Sequence, residues 1–283
     1  MVKFSKGGWC FSPTAFCFLL SDFFVKNRLT SNKNALFVYN VLMERRTKEI
    51  LGYNVDLFSF DEAVNYIVDK SQNASTQTVT INPEMIAFGD KDKEFGEILK
   101  NADLVIPDGF GIKLALKIYG ISQEQIPGIE FAKRIIEYCA KTSQGVALLG
   151  AKQEILEKAC DNLKKDFETL NICYNRNGYF QESDERAIID ELKANNPKLV
   201  LCALGVPKQE VFIKKYKSEF ANTMFIGVGG SFDVWSGEVK RAPKIFRKLG
   251  CEWLWRLIKT PSRFKRIFPT LPLFLIKVIM NRK

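Results

Sequence analysis

Short apolar runs alternating with helix-like segments decide what this chain can fold into. The runs sit at 50–55, 77–81, 104–106, 146–149, 170–174, 199–204 and 224–228. Runs this short and this apolar belong to strands buried on both faces, as in a parallel sheet covered by helices on either side. Strand followed by helix, repeated along the chain, predicts an α/β fold: a Rossmann-like, doubly wound, mainly parallel sheet. Helix signals fall between the runs. Ser59-Phe60-Asp61-Glu62 is a capping box opening a helix to 70, Asn82-Pro83-Glu84 opens one running to 100, and Pro127 opens another to 142.

In open α/β sheets ligands bind outside the carboxyl ends of the strands. Five of these ends carry polar or glycine-rich sequences: Thr80-Ile81-Asn82-Pro83-Glu84, Pro107-Asp108-Gly109, Leu149-Gly150-Ala151-Lys152, Gly205-Val206-Pro207-Lys208-Gln209-Glu210 and Gly227-Val228-Gly229-Gly230. One such turn is ordinary connection chemistry. Five converging on one crevice point to a phosphate- or sugar-binding rim containing Gly109, Gly150, Gly205, Pro207 and Gly229. Asp108 lies at its strand's mouth before Gly109 and Gly111, glycines that let backbone approach a ligand. It can accept a proton there, or it can cap the helix starting near Ile112; both readings stand.

Composition removes several chemistries. The chain of 283 residues has no histidine, so His-based triads and His metal sites are excluded, and acid–base work falls to Asp, Glu, Lys, Tyr or Cys. Seven scattered cysteines form no C-x-x-C pair, which predicts reduced, buried thiols and neither a zinc site nor a disulfide framework. Both partial dinucleotide fingerprints fail, because Phe232 and Leu114 occupy the third glycine's place, and no Walker sequence occurs. Asp90-Lys91-Asp92 spells a D-x-D, but within a run of charges that reads as a solvated turn. No metal and no cofactor are expected, which leaves Arg, Lys and helix N-termini to stabilise a departing diphosphate.

Charge divides the chain. Residues 240–283 hold thirteen Lys and Arg against one acid, Glu252, a net of +12; the chain's +10 therefore leaves −2 for residues 1–239. Within the tail, apolar residues recur at helical spacing, and 267–280 is an apolar run broken by Pro269, Pro272 and Lys277. It is too short to cross a bilayer and long enough to lie in its interface. Three segments follow: an N-terminal extension at 1–42 outside the fold, an α/β domain at 43–239, and a basic amphipathic helical appendage at 240–283 that associates with membrane. An apolar stretch at 9–20 lacks a clean cleavage site and is also too short to span.

Six motifs in order, T-x-N-P-E (80–84), P-D-G-x-G (107–111), G-x-P-K-Q-E (205–210), G-V-G-G-x-F-D (227–233), R-A-P (241–243) and E-W-L-W-R-L…P-x-R-x-x-R (252–266), make the chain resemble the bacterial WecG/TagA/CpsF glycosyltransferase family over about 48–268. The resemblance implies an inverting, metal-independent transfer from a UDP-sugar to undecaprenyl-diphosphate-linked GlcNAc, in teichoic acid or surface polysaccharide synthesis. UDP-ManNAc is the expected donor. By motif match Asp108 is the base, Thr80 and Asn82 line the sugar site, and Gln209 lies near the substrate. Arg241 joins the substrate-binding set, and Arg256, Arg263 and Arg266 complete the site over the diphosphate. The resemblance further implies a peripheral protein on the inner face of the cytoplasmic membrane, docked on anionic lipid, that can form homo-oligomers. Gln125 to Glu130 departs from the Arg…Gly-x-Asp of many members, so a ManNAc uronic acid or another UDP-hexose stays open as donor. A non-catalytic nucleotide- or nucleic-acid-binding protein using the basic tail is the alternative from another class; the five strand ends argue against it, and no nucleic acid partner is expected.

Overall fold

The expected strands form because their side chains have apolar layers to meet on both sides of the sheet. The computed structural model describes residues 45–243, 246, 255 and 264–282, without the side chains of 264–269. The expectation for 1–42 lies outside these residues.

The chain enters through a hairpin, β1 (Thr47–Ile50) and β2 (Tyr53–Asp56), paired antiparallel. A single strand at 50–55 is therefore incorrect: Leu51 and Gly52 take φ of 50° and 86° and turn the chain back. Two successive positive φ values suit the primed turns that match strand twist. The helix α1 (Phe60–Lys70) follows, with the expected capping box: Ser59 Oγ accepts from the Glu62 N–H and Glu62 Oε2 from the Ser59 N–H. After β3 (Thr76–Ile81), the expected helix to 100 is two helices, α2 (Pro83–Gly89) and α3 (Lys93–Lys100). Asp92 breaks it by capping α3, its Oδ1 accepting from the Phe95 N–H at 3.0 Å.

The remaining elements are β4 (Leu104–Pro107), α4 (Phe110–Ile118), α5 (Gly128–Lys141), β5 (Gly145–Gly150), α6 (Gln153–Asp166), β6 (Asn171–Arg176), α7 (Glu185–Asn195), β7 (Leu199–Ala203), α8 (Lys208–Tyr216), β8 (Met224–Gly227), α9 (Ser231–Trp235) and α10 (Phe264–Met280). Strands β3 to β8 form one parallel sheet in the order β4-β3-β8-β7-β5-β6. Alternate residues face opposite layers. Leu199 and Leu201 pack with α1, α5 and α6, while Val200 and Cys202 pack with α7 and α8. Val79, Ile81 and Val105 meet α2, α3 and α4. The chain leaves β3 toward one edge and β5 toward the other, so the central strands form a switch point, where doubly wound folds bind ligands.

Two carboxylates, one buried and one half-buried, fix the rim strands. Asp56, fully buried, accepts from the guanidinium of Arg45 at 2.6 and 3.1 Å and from the Val105 N–H at 2.7 Å, which gives edge strand β4 an acceptor. Asp103 accepts from the Gln77 N–H and Lys217, and is held below the ordinary carboxylate range by these bonds despite partial burial.

Helix α10 runs through Pro269 and Pro272, which were expected to break it. Phe274 and Val278 are buried against the layer of α2 and α4, and Lys277 Nζ pairs with Asp90 at 2.8 Å. Its other side exposes Leu273, Ile276, Ile279 and Met280, by 59%, 52%, 58% and 80%. No helix among the described residues is long and apolar enough to cross a membrane.

Candidate active site

The carboxyl ends of β3 and β4 bring Thr80, Asn82 and Asp108 together. The Asp108 N–H donates to the Ile81 carbonyl at 3.0 Å, placing Asp108 beside the end of β3. It does not cap α4. That position belongs to Gly109, with φ 85° and no side-chain cap. The capping alternative therefore fails, and Gln125 Nε2 donates to Asp108 Oδ1 at 3.4 Å instead. Gln125 is brought there by the returning loop, whose Ile126 N–H donates to the Pro107 carbonyl at 3.0 Å.

Thr80 lies one residue before the end of β3, with Gly128 of α5 packed on it; a Cβ at Gly128 would come 2.7 Å from Thr80 Cγ2. Asn82 Oδ1 accepts from the Glu84 and Met85 N–H groups at 3.0 and 3.1 Å. That cap occupies both its lone pairs, so a substrate contact falls to the amide nitrogen. Of the two glycines after Asp108, Gly109 has open space, while Gly111 is a packing residue. A Cβ at Gly111 would lie 2.4 Å from Pro83 Cγ and 2.9 Å from Leu271 Cδ1 of α10. The appendage helix thus seats directly beside the Asp108 loop.

The ends of β5, β7 and β8 form the second half of the rim. Gly150, φ 132°, is required there, because a Cβ would fall 2.4 Å from the Ala203 carbonyl oxygen. The Ala151 N–H donates to that same carbonyl at 3.1 Å. Gly205, φ 78°, turns the chain into Val206–Pro207, a cis peptide, and Pro207 precedes α8. A cavity of about 540 Å³ opens above, lined by two lysines, Lys152 and Lys158, three acids, Glu154, Asp233 and Glu238, and by Tyr179 and Gly229 among others; Lys158 Nζ lies 3.7 Å from Glu238. Tyr179 is 73% exposed over it.

Gln209 is not open to that cavity: it is 3% exposed and its amide is held from both ends. Its Nε2 donates to Glu210 Oε1 at 2.7 Å, and its Oε1 accepts from the Gly229 N–H at 3.1 Å. Burial pushes the Glu210 carboxyl up to about 7, against the opposing pull of the Gln209 amide. Burial also raises the thiols, Cys139 to about 12 and Cys160 to about 11, with Cys173 and Cys202 raised too. All four are free and none supplies a thiolate near neutrality.

Arg241 forms an ion pair with Glu130 in the first turn of α5, two residues beyond the glycine that packs on Thr80. Arg256 and Arg263 lie outside the described residues. Arg266 falls in the first turn of α10, its side chain outside the description. Both aspartates of the D-x-D are engaged, Asp90 with Lys277 and Asp92 as a cap. Among the described residues, no cluster of three or more acids or cysteines could hold a metal ion.

Sequence reasoning noted Gln125 and Glu130 only as departures from a motif, and it passed over Tyr179 and Lys158 as site residues. Their partners are 17 and 111 residues away in the chain for Gln125 and Glu130, and no local spacing signals such contacts.

A doubly wound sheet with a carboxylate and a cavity of mixed charge along one carboxyl edge fits an enzyme that transfers a group from a nucleotide. The chain belongs to the WecG/TagA/CpsF glycosyl transferase family, which it matches over residues 48–283. It is similar over most of its length to proteins named N-acetylglucosaminyldiphosphoundecaprenol N-acetyl-beta-D-mannosaminyltransferase. One from Bacillus spizizenii is 32% identical, covering 75% of this chain and 82% of the relative. One from Bacillus subtilis is 32% identical over 85% and 93%, and one from Staphylococcus aureus 31% over 83% and 93%.

Proposed function

We propose that the chain transfers N-acetylmannosamine from UDP-ManNAc to undecaprenyl-diphosphate-linked GlcNAc with inversion at the anomeric carbon. The relatives' name supports both sugars and a β product, and a β product from an α-linked nucleotide sugar requires a single displacement. The acceptor hydroxyl attacks the anomeric carbon as UDP leaves from the opposite face, and Asp108 takes the hydroxyl's proton. A carboxylate within hydrogen-bond reach contributes roughly 10² to 10⁴-fold to such a step.

The observation that carries this reading is Asp108 itself: a carboxylate at a strand mouth that caps no helix and is held by Gln125. The donor nucleotide occupies the neighbouring cavity, with Tyr179 as a stacking face and Asp233 as an acceptor. Lys152 provides positive charge for the diphosphate, and Lys158 adds to it on leaving its exposed pair with Glu238. Thr80 and the Asn82 amide face the sugar, and Arg256, Arg263 and Arg266 close over the diphosphate from the appendage. No step is assigned to a metal, since Asp90 and Asp92 are engaged elsewhere.

The enzyme works peripherally at the inner face of the cytoplasmic membrane. The basic tail supplies attraction to anionic lipid, about 1 kcal/mol per surface Lys or Arg, and the exposed stripe of α10 supplies apolar contact. The test is release of UDP from UDP-ManNAc with a lipid-diphosphate GlcNAc acceptor in detergent, EDTA present. Acceptor-dependent release is expected. Silence with UDP-ManNAc and release with another UDP-sugar would change the donor, and silence with every donor would overturn the reading.

A further inference from the structure

Beneath the proposed donor cavity lies a buried relay of two side chains that ends on the cavity wall. Glu210 is 3% exposed. Its Oε1 accepts from Gln209 Nε2 at 2.7 Å, and its Oε2 is buried with no hydrogen-bond partner. Gln209 Oε1 in turn accepts from the Gly229 N–H, and Gly229 lines the cavity. Strand β8 leaves no slack behind them: a Cβ at Gly227 would lie 2.5 Å from Gln209 Nε2 and 3.0 Å from Glu210 Oε1. Gln77 Nε2 donates to the Glu210 carbonyl at 3.2 Å and ties the first turn of α8 to β3.

A primary amide fits its pocket in two orientations of nearly equal shape, differing by exchange of oxygen and nitrogen. Only one gives the Gly229 N–H an acceptor; the other sets donors against a donor. Glu210 Oε1 stands as an acceptor beside the amide nitrogen, so Glu210 selects the orientation that serves Gly229. Burying a carboxylate with one oxygen unpartnered opposes stability. Stability therefore does not account for its presence, whereas local violations of packing rules are what functional sites carry.

We propose that Glu210 is a positioning residue of the transferase, which sets the Gln209 amide and through it fixes Gly229 against the bound nucleotide. This rests on the reading of the cavity as the donor site. The test uses the full-length chain, with UDP affinity measured by calorimetric titration beside donor KM, kcat and melting temperature.

Glu210→Met keeps the length of the side chain and removes the acceptor. It should weaken UDP binding about tenfold, the scale of one hydrogen bond left unformed, and raise donor KM more than it lowers kcat. Its melting temperature should hold or rise. Glu210→Gln keeps an acceptor for the amide and should remain within about threefold of wild type. Because both residues act through one amide, Gln209→Met with Glu210→Met should bind UDP no more weakly than Gln209→Met alone. A folded Glu210→Met chain with wild-type UDP affinity would overturn the proposal. So would a double variant losing the product of both single losses. Should Glu210→Met fail to fold, Glu210→Asp withdraws the carboxylate by one methylene and must itself weaken UDP; wild-type affinity there would overturn the proposal equally. Absence of UDP binding by the wild-type chain would overturn the donor-site reading and the proposal with it, a result distinct from selective failure of the variants.

Discussion

Replacing Glu210 by glutamine should make the stability of this enzyme less dependent on pH, by an amount the burial of the carboxyl fixes. In the folded chain that carboxyl titrates near 7, against 4.5 for an unburied one. A raised carboxyl pKa means that the folded state keeps its proton where the unfolded state has released it. Stability is then fully present below the unfolded value and falls as pH rises from 4.5 to 7. Above that window the whole linkage is lost, about 3 kcal/mol at 1.36 kcal/mol per pKa unit. The amide of the Glu210→Gln variant would not titrate. The unfolding free energy of the variant minus that of wild type should therefore rise by about 3 kcal/mol between pH 4.5 and 8, whatever its offset at low pH. For a domain of this size the difference corresponds to roughly 6–12 °C in melting temperature. Denaturant unfolding followed by tryptophan fluorescence at four or five pH values measures it. A wild-type minus variant difference that stays flat with pH would refute the burial argument for Glu210.

Two further outcomes follow from the geometry. Gly150→Ala puts a methyl 2.4 Å from the Ala203 carbonyl oxygen at a φ of 132°, so it should cost at least about 2 kcal/mol in denaturant unfolding and weaken UDP binding; an unaffected chain would show that β5 and β7 do not close there. Charging the exposed stripe of α10 by Leu273→Glu with Ile276→Glu should reduce sedimentation with anionic vesicles at least about tenfold, since apolar burial and lipid charge both turn unfavourable. Unchanged sedimentation would move membrane contact away from this helix.

Much of the sheet was legible because parallel strands buried on both faces leave apolar runs that no solvent-facing element imitates. Runs at 77–81 and 199–204 correspond to Thr76–Ile81 and Leu199–Ala203 almost to the residue. The hairpin was not legible, since Leu51 reads as an apolar strand residue while its φ of 50° makes it part of a turn. The turn at Asp90 to Asp92 was legible in its run of charges, whereas the role of Asp92 as the cap of α3 was not. Helix α10 continues through two prolines, and what offsets their lost hydrogen bonds is packing on α2 and α4, a tertiary effect.

The rim itself was visible in the glycines, though for mixed reasons. Gly150 and Gly109 are demanded by backbone geometry, whereas Gly111 makes room for Pro83 and Leu271. The roles of Gln125, Glu130 and Glu210 were invisible because each depends on what another element brings to it.

The central claim, that Asp108 removes the acceptor proton, is tested most directly by Asp108→Asn in the full-length chain. Asparagine keeps the size of the side chain and can still hydrogen-bond Gln125, but it accepts no proton at neutral pH. Acceptor-dependent UDP release should fall by at least about 100-fold while the UDP dissociation constant and the melting temperature stay near those of wild type. Turnover within a few-fold of wild type would contradict the account and require a different base.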